Sequence, residues 1–271
     1  MIPRIHRMYY MNLNKHFKIK FFIFLKINFL FLWVKYSMNQ DITIHSISPD
    51  PQRKIPKIIY MCHKSIKDII IYSKNWKTLN SEYEIRLYDD NHCRKFLKEN
   101  FRKVILEIFD YIPDGPIKAD LWRVCILYIY GGIYVDADIK PLVPLRDFLE
   151  EEDDFVTCIS NVHKPFRKTH LLNPHFIATY QGNHVLKNCI ERYIELYNHN
   201  RRYKYWKWSI FRMLQLDFII AEKKDQILMH KGERYKFILE LPSMNDCKYG
   251  NKVVFHNRYD FYKDHNFIDK K

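Results

Sequence analysis

The stretch Ile112–Leu145, IPDGPIKADLWRVCILYIYGGIYVDADIKPLVPL, predicts a helix followed immediately by a strand. Apolar residues recur with helical spacing after Pro116, which suits the first turn of a helix because proline has no N–H to lose there. The glycine pair at positions 131–132 ends the helix, since glycine adopts the positive φ of a C-terminal cap without a steric penalty. The apolar run Ile133–Val135 then predicts a short buried strand.

Two aspartates, Asp136 and Asp138, follow that strand and are separated by one residue. In an extended chain such residues project to the same side, so we expect both carboxylates to face one point. Two like charges this close repel each other unless a cation lies between them. Carboxylate oxygens suit Mg²⁺ or Mn²⁺, which take their remaining ligands from water and substrate phosphates. On the preceding helix Asp120 and Arg123 are three residues apart, so they share a face and can pair or point at one ligand.

The spacing of these residues follows the pattern K-A-D-x-x-R, a helix, and then G-G-x-Y-x-D-x-D. In this it resembles the D-x-D sugar-transferase family, which includes yeast-type outer-chain α-1,6-mannosyltransferases, α-1,4-galactosyl- and N-acetylglucosaminyltransferases, and bacterial capsule transferases. The anchor residues of the family signature stand here as Lys118, Ala119, Asp120, Arg123, Gly131, Gly132, Tyr134, Asp136 and Asp138.

The resemblance implies an α/β fold, with one nucleotide-sugar-binding domain of the GT-A type. Its sheet is expected to be mixed but mostly parallel and flanked by helices, with the D-x-D at a strand end. The implied activity is metal-dependent transfer of a hexosyl group from a nucleoside-diphosphate sugar, a UDP- or GDP-sugar, to a glycan or glycoconjugate acceptor. Relatives retain the anomeric configuration. The expected cofactor is Mn²⁺, or Mg²⁺ in its place.

The resemblance also assigns roles to individual residues. Asp138 is expected to hold the metal that contacts the two phosphates, and Asp136 to hold the ribose or a metal-bound water. Asn173 precedes a segment similar to the family's N-x-F-I-x-A element, which faces donor or acceptor. His256 follows a short predicted strand near the C-terminus, at the place of a family histidine that completes the metal or diphosphate site. The implied sets are Asp136, Asp138 and Arg123 for catalysis, Asp120, Arg123, Tyr134, Asp136 and Asn173 for substrate binding, and Asp138, Asp136 and His256 for the metal.

The chain departs from the family pattern near its first predicted strand. Tyr60 stands where relatives usually have histidine, and His63 stands where a tryptophan often follows. A Gly-Pro pair that usually precedes a later helix is also missing. These departures motivate an alternative hypothesis, a catalytically inactive relative that binds glycan or nucleotide. A phosphatase of the haloacid-dehalogenase class, which also carries D-x-D, is disfavoured because Ile139-Lys140-Pro141 follows the second aspartate.

Alternation of predicted strands and helices around the central stretch supports the α/β class. A cap at Asp90 is expected to begin one of the helices. The basic stretch 161–169 is expected to be a solvated loop, with a position over the site as the alternative interpretation. The predicted strands are 57–61, 84–88, 155–160 and 252–255, and the predicted helices are 66–79, 91–100, 101–111, 183–197 and 209–220.

The N-terminus differs in character from the rest of the chain. Residues 1–37 are basic and then apolar, residues 38–54 read as a linker, and residues 55–271 form the predicted transferase domain. The apolar run Phe21–Val34 with its basic flank predicts a signal anchor, which would associate the protein with a membrane. An interfacial helix and a translation start at Met38, which would make the protein cytoplasmic, are alternative interpretations.

Charge and cysteine spacing argue against nucleic-acid-binding, zinc-finger and thiol-redox proteins. The formal charge is +14, yet the basic residues are spread along the chain without an arginine-rich run or zinc-finger spacing, so nucleic acid is not an expected partner. The six cysteines are widely separated and include no C-x-x-C pair, so the sequence suggests neither a zinc site nor a thiol-redox motif.

Overall fold

The computed structural model describes residues 51–160, 171–199, 202–215, 226–230, 232–241 and 246–257. The chain divides into two compact units, Met1–Ser46 and Ile47–Lys271, and every described residue belongs to the second. The predicted N-terminal anchor and the predicted loop 161–169 lie outside the described residues. Within the described ranges, no helix has both the length and the apolar character that a membrane span requires.

Helices and strands alternate up to the D-x-D stretch, and strands dominate after it. The helices of the described ranges are α1 Ile66–Leu79, α2 Asp90–Asn100, α3 Lys103–Tyr111, α4 Gly115–Tyr130, α5 His184–His199, α6 Tyr205–Trp208 and α7 Ile210–Gln215. The strands are β1 Ile58–Cys62, β2 Glu84–Tyr88, β3 Gly132–Val135, β4 Ile139–Pro141, β5 Phe155–Ser160, β6 Leu171–Thr179, β7 Ile227–His230, β8 Glu233–Glu240, β9 Asp246–Tyr249 and β10 Lys252–Asn257.

All described strands belong to one sheet, which must curl back on itself. The strand order is β2-β1-β3-β6-β5-β8-β9-β10-β4, with β7 paired to β8. β3 and β4 are therefore six positions apart in the sheet, which corresponds to about 29 Å at the usual spacing of neighbouring strands. The chain between Val135 and Ile139, however, reaches at most about 14 Å. The turn that carries the D-x-D thus joins an interior strand, β3, to the edge strand β4 of a strongly curved sheet.

The α/β class, the mixed sheet with flanking helices and the D-x-D at a strand end are confirmed, but the expectation of a mostly parallel sheet is wrong. Three of the nine described pairs are parallel, namely β1 with β2, β1 with β3, and β5 with β8; the other six are antiparallel. The physical reason lies in the last part of the chain, where β9 and β10 are joined by a tight turn. Such short connections permit only antiparallel neighbours.

Most predicted elements before the D-x-D are confirmed, with one shift at a helix start. The predicted cap at Asp90 is wrong by one residue, because Asp89 accepts a hydrogen bond of 2.9 Å from the backbone N–H of His92 and Asp90 is the first helical residue. An N-cap oxygen reaches the amide three residues ahead, which from Asp89 is that of His92. The last strand runs to Asn257, so His256 lies within it and not after it.

Helix α1 supports the chain that leaves the D-x-D. The indole N–H of Trp76, a fully buried residue, donates a 3.0 Å hydrogen bond to the carbonyl of Ile139. The side-chain oxygen of Asn80 accepts a 2.7 Å bond from the backbone N–H of Leu145. Both bonds are buried, where losing a partner is expensive, so they hold β4 against the core.

Glycine is required where β3 starts. Gly132 has a φ of +101°, and a Cβ there would lie 2.9 Å from the carbonyl oxygen of Ile58 on the neighbouring strand β1. The glycine therefore permits both the unusual backbone angle and the close approach of β1 to β3.

Candidate active site

The D-x-D forms a tight turn and not an extended segment. The backbone N–H of Ile139 donates to the carbonyl of Asp136 at 3.1 Å, which closes a turn over residues 136–139. The N–H of Asp136 donates to the carbonyl of His175 on β6 at 2.8 Å. The expectation that strand geometry aligns the two carboxylates is therefore corrected: their arrangement follows from the turn and from the curvature of the sheet that the turn closes.

Arg123 contacts two carboxylates and a backbone carbonyl in the buried part of the site. Its Nη2 lies 3.0 Å from an oxygen of Asp120 and 3.1 Å from Oδ1 of Asp136. Its Nη1 donates a 2.7 Å hydrogen bond to the carbonyl of Pro174. The residue is only 4% exposed, so these charges interact in a poorly screened environment. As the helical spacing predicts, Asp120 and Arg123 share one face of α4, and the structure brings both together with Asp136.

Tyr134 holds Asp136 from the other side. Its hydroxyl donates a 2.7 Å hydrogen bond to Oδ1 of Asp136, and the guanidinium of Arg123 lies 4.3 Å from the centre of its ring. Tyr134 is 1% exposed. One oxygen of Asp136 is thus held by both a phenol and a guanidinium, which leaves its second oxygen for another partner.

Asp120 connects α4 to α7. Its Oδ2 accepts a 3.1 Å hydrogen bond from the backbone N–H of Ile210, the first residue of α7. Burial raises the pKa of Asp120 to about 6, although the nearby Arg123 opposes that rise. The carboxylate therefore helps to anchor a helix start as well as to orient Arg123.

The ionised carboxylate of Asp138 is destabilised by its surroundings. It is 7% exposed, and within the described residues no hydrogen bond or ion pair of its carboxylate to another side chain is found. Burial, and then the negative charge of Asp136, raise the pKa of Asp138 to about 7. A buried carboxylate next to a second one is an oxygen donor set that a hard divalent cation stabilises, so these residues fit Mn²⁺ or Mg²⁺.

The remaining two predicted residues lie on the strands that pair with the two strands flanking the D-x-D, β6 beside β3 and β10 beside β4. Asn173, on β6, directs its side-chain amide to both carboxylate oxygens of Glu240, at 3.3 Å each. His256, on β10, lies opposite Lys140 of β4, and its Nδ1 is 2.8 Å from Oδ1 of Asp246. Within the described ranges no contact of His256 with Asp136 or Asp138 is found. The substrate role of Asn173 and the ligand role of His256 remain predictions.

A buried polar cluster behind the D-x-D was not predicted from the sequence. Nε2 of His175 lies 3.5 Å from Sγ of Cys247, and Cys158 is adjacent. The hydrogen bond from Cys158 and the charge of His175 lower the pKa of Cys247 to about 6, against the effect of burial. Burial lowers the pKa of His175, but the neighbouring Cys247 outweighs it and raises that pKa to about 9. These residues come from three strands, and no motif in the sequence links them.

Comparison with known proteins finds a family model that matches part of the chain, including the D-x-D. Residues 67–156 match the family described as glycosyltransferase sugar-binding region containing DXD motif. The chain is 36% identical over 100 residues to the uncharacterized glycosyltransferase L373 of Acanthamoeba polyphaga mimivirus, covering 35% of this chain and 40% of that protein. It is 31% identical over 114 residues to inositol phosphoceramide mannosyltransferase 3 of Schizosaccharomyces pombe, covering 40% of this chain and 32% of that protein.

The similarity covers only part of each relative. The alignments span 40% or less of the two curated proteins just named. Among solved structures, the PaToxG glycosyltransferase is 16% identical, with a TM-score of 0.45 over 66% of this chain and 75% of that chain.

Proposed function

We propose that the chain is a metal-dependent glycosyltransferase, a proposal supported by the match of residues 67–156 to the glycosyltransferase sugar-binding region containing DXD motif. It moves a hexosyl group from a nucleoside-diphosphate sugar to a glycan or glycoconjugate acceptor, with retention of the anomeric configuration. The relative named as an inositol phosphoceramide mannosyltransferase makes a mannosyl donor the first one to test.

One observation carries the proposal: Asp138 is buried beside Asp136 and its pKa is raised to about 7. A protein that used this turn only as a structural connection would gain nothing from a buried carboxylate close to a second, partly exposed one. Such groups are typical of sites that bind a cation or do chemistry.

The metal ligands follow from the oxygen atoms at this turn. Asp138 and the second oxygen of Asp136 would hold Mn²⁺ or Mg²⁺, with Nε2 of His256 as a candidate further ligand. When bound, the ion stabilises the negative charge that develops on the departing nucleoside diphosphate. The 2.8 Å contact between Nδ1 of His256 and Asp246 supports its candidacy, because a carboxylate on one ring nitrogen orients the other toward a metal.

Arg123 and Tyr134 act through Asp136. Each contacts Oδ1 of Asp136, and Arg123 is also engaged by Asp120 and by a backbone carbonyl. The role of the guanidinium is therefore to hold Asp136 in one orientation, and not to contact the diphosphate directly. Asn173, held against Glu240, is the candidate contact to donor or acceptor sugar. Positioning of this kind contributes to the rate through orientation.

A catalytically inactive binder is the competing function. Tyr60, which replaces the usual histidine, is fully buried, and its hydroxyl has no hydrogen-bond partner among the described residues. It therefore does not supply the contact that the family position usually offers. The two functions differ in turnover, because a binder does not cleave the donor.

Hydrolysis of the donor tests the proposal without knowledge of the acceptor. We would incubate full-length protein with Mn²⁺ and a panel of UDP- and GDP-sugars and measure released nucleoside diphosphate. The proposal predicts metal-dependent release with one donor, which falls by about 10²-fold or more in Asp138→Asn. Asp90→Asn, an exposed aspartate on α2, is the matched control and should keep wild-type activity. Nucleotide binding without any release in the wild type would favour the inactive binder.

A further inference from the structure

Two cysteines and a histidine meet behind the D-x-D turn. Cys158 lies on β5, His175 on β6 and Cys247 on β9. The two Sγ atoms and a ring nitrogen of His175 all lie within 4.8 Å of one another, and all three residues are buried. The distance from His175 Nε2 to Cys247 Sγ is 3.5 Å.

The known distances are compatible with the edges of a tetrahedral zinc site. With Zn–S bonds of about 2.3 Å and Zn–N bonds of about 2.0 Å, neighbouring ligand atoms lie about 3.5 to 3.8 Å apart. The 3.5 Å between His175 Nε2 and Cys247 Sγ lies in this range, and the other ligand atoms are within 4.8 Å of one another. Thiolate and imidazole are ligands for zinc-class ions, whereas the carboxylates of the D-x-D suit harder ions.

A disulfide between the two cysteines does not fit the strand arrangement. Cys158 is opposite Ile238 of β8, and Cys247 is opposite Glu240 of the same strand, so β8 lies between them. Positions two strands apart have Cα atoms about 10 Å from each other. A disulfide needs Cα atoms within about 7 Å. A metal ion between the two sulfur atoms spans the distance that a direct S–S bond cannot.

We propose that Cys158, His175 and Cys247 bind one zinc-class ion, separate from the ion at the D-x-D. The side-chain oxygen of Asn257 lies 3.7 Å from Cys247 Sγ and is placed to take the fourth position. Two thiolates balance the charge of a divalent ion, so the filled site adds no net charge beside Asp138.

The proposed ion has a structural consequence for the active site. The backbone carbonyl of His175 accepts a 2.8 Å hydrogen bond from the backbone N–H of Asp136. An ion that ties His175 to Cys158 and Cys247 therefore joins β5, β6 and β9 at the point where β6 supports the D-x-D turn. This role does not depend on the transferase activity, and its test uses a different signal.

Cobalt substitution tests the site directly. Full-length protein is reduced, stripped with a chelator, freed of the chelator and titrated with Co²⁺ while its absorption spectrum is recorded. We expect strong thiolate-to-cobalt charge transfer and the visible bands of tetrahedral coordination. The intensity of the charge-transfer band should correspond to one thiolate-bound Co²⁺ per chain, apart from any Co²⁺ at the D-x-D. Co²⁺ at the D-x-D has only oxygen and imidazole ligands and gives no thiolate band, so the two sites are distinguished by spectrum.

Variants assign the band to its ligands. Cys158→Ala and Cys247→Ala should lose the charge-transfer band, while Asp138→Asn should keep it. Cys125→Ala is the matched control, because Cys125 is equally buried but lies on α4 outside the cluster. If the ligand variants do not fold, the wild-type spectrum decides, together with zinc that co-purifies and is released when thiols are modified.

Three results would overturn the proposal. They are the absence of a thiolate band in folded, reduced wild-type protein, a band that persists in both ligand variants, and a Cys158–Cys247 disulfide in protein purified without reductant. None of them bears on donor hydrolysis, so a failure here leaves the proposed transferase activity to its own test.

Discussion

Replacing Asp138 with asparagine is expected to stabilise the metal-free protein at alkaline pH. Burial and the charge of Asp136 raise the pKa of Asp138 from its ordinary value of 3.8 to about 7. The folded state therefore holds this proton more tightly than the unfolded chain, so the free energy of unfolding falls as the pH rises from about 4 to about 7. At about 1.4 kcal/mol per pKa unit, the ionised carboxylate lowers it by about 4 kcal/mol above pH 7.

Urea unfolding in the presence of EDTA measures this effect. The asparagine variant should exceed the wild type in free energy of unfolding by about 4 kcal/mol at pH 8, and by only about 2 kcal/mol at pH 5, where the wild-type carboxyl is mostly protonated. Mn²⁺ should raise the stability of the wild type at pH 8 and not that of the variant, because only the wild type keeps the ligand.

Asp90→Asn controls for the general effect of removing a carboxylate. Asp90 is exposed at the start of α2, and its replacement should leave the wild-type dependence on pH in place. An Asp138→Asn variant that is no more stable than the wild type at pH 8 in EDTA would refute the reasoning. It would mean that the carboxylate of Asp138 is not destabilised in the folded protein.

Three further predictions concern the framework of the site. Arg123→Lys should reduce donor hydrolysis by about 10²-fold in steady-state assays, because one ammonium cannot replace the planar fork that bridges two carboxylates and a carbonyl; near-wild-type turnover would contradict the positioning role. Gly132→Ala should lower the free energy of unfolding by about 3 kcal/mol in urea titrations, and clearly more than Gly250→Ala, whose φ is also positive but whose Cβ would meet nothing within 4 Å. Glu233→Gln should lower Tm at pH 7 and not at pH 2. Burial raises the pKa of Glu233, but hydrogen bonds from His184 and two tyrosines outweigh that effect and lower this pKa to about 2. The ionised carboxylate therefore stabilises the fold above about pH 4.5, and this stabilisation is lost as the pH falls toward 2. Equal Tm differences at both pH values would count against that assignment.

The central stretch was predictable because its structure is local. A helix from Gly115, its end before a glycine pair, the strand β3 and the pairing of Asp120 with Arg123 all follow from spacing within a few residues. Helical periodicity alone places residues three apart on one face. The family signature added the expected roles, which the sequence carries in order along one short segment.

The antiparallel part of the sheet was harder to predict. Strands β7, β8 and β9 were not predicted from the sequence, and the alternation of helices and strands before the D-x-D suggested more parallel pairing than occurs. Strand pairing depends on which distant segments meet, and short apolar runs do not reveal it.

What the sequence by itself determined is the helix, the strand and the two aspartates, because hydrophobic periodicity and glycine caps act over neighbouring residues. Only the tertiary structure decided that the D-x-D is a turn joining the interior strand β3 to the edge strand β4 of a curled sheet, and that Arg123 and Tyr134 share one oxygen of Asp136. It alone also brought His175 to Cys247, which is 72 residues further along the chain. Such contacts form when the curved sheet closes, and the burial that perturbs Asp138 arises from that closure.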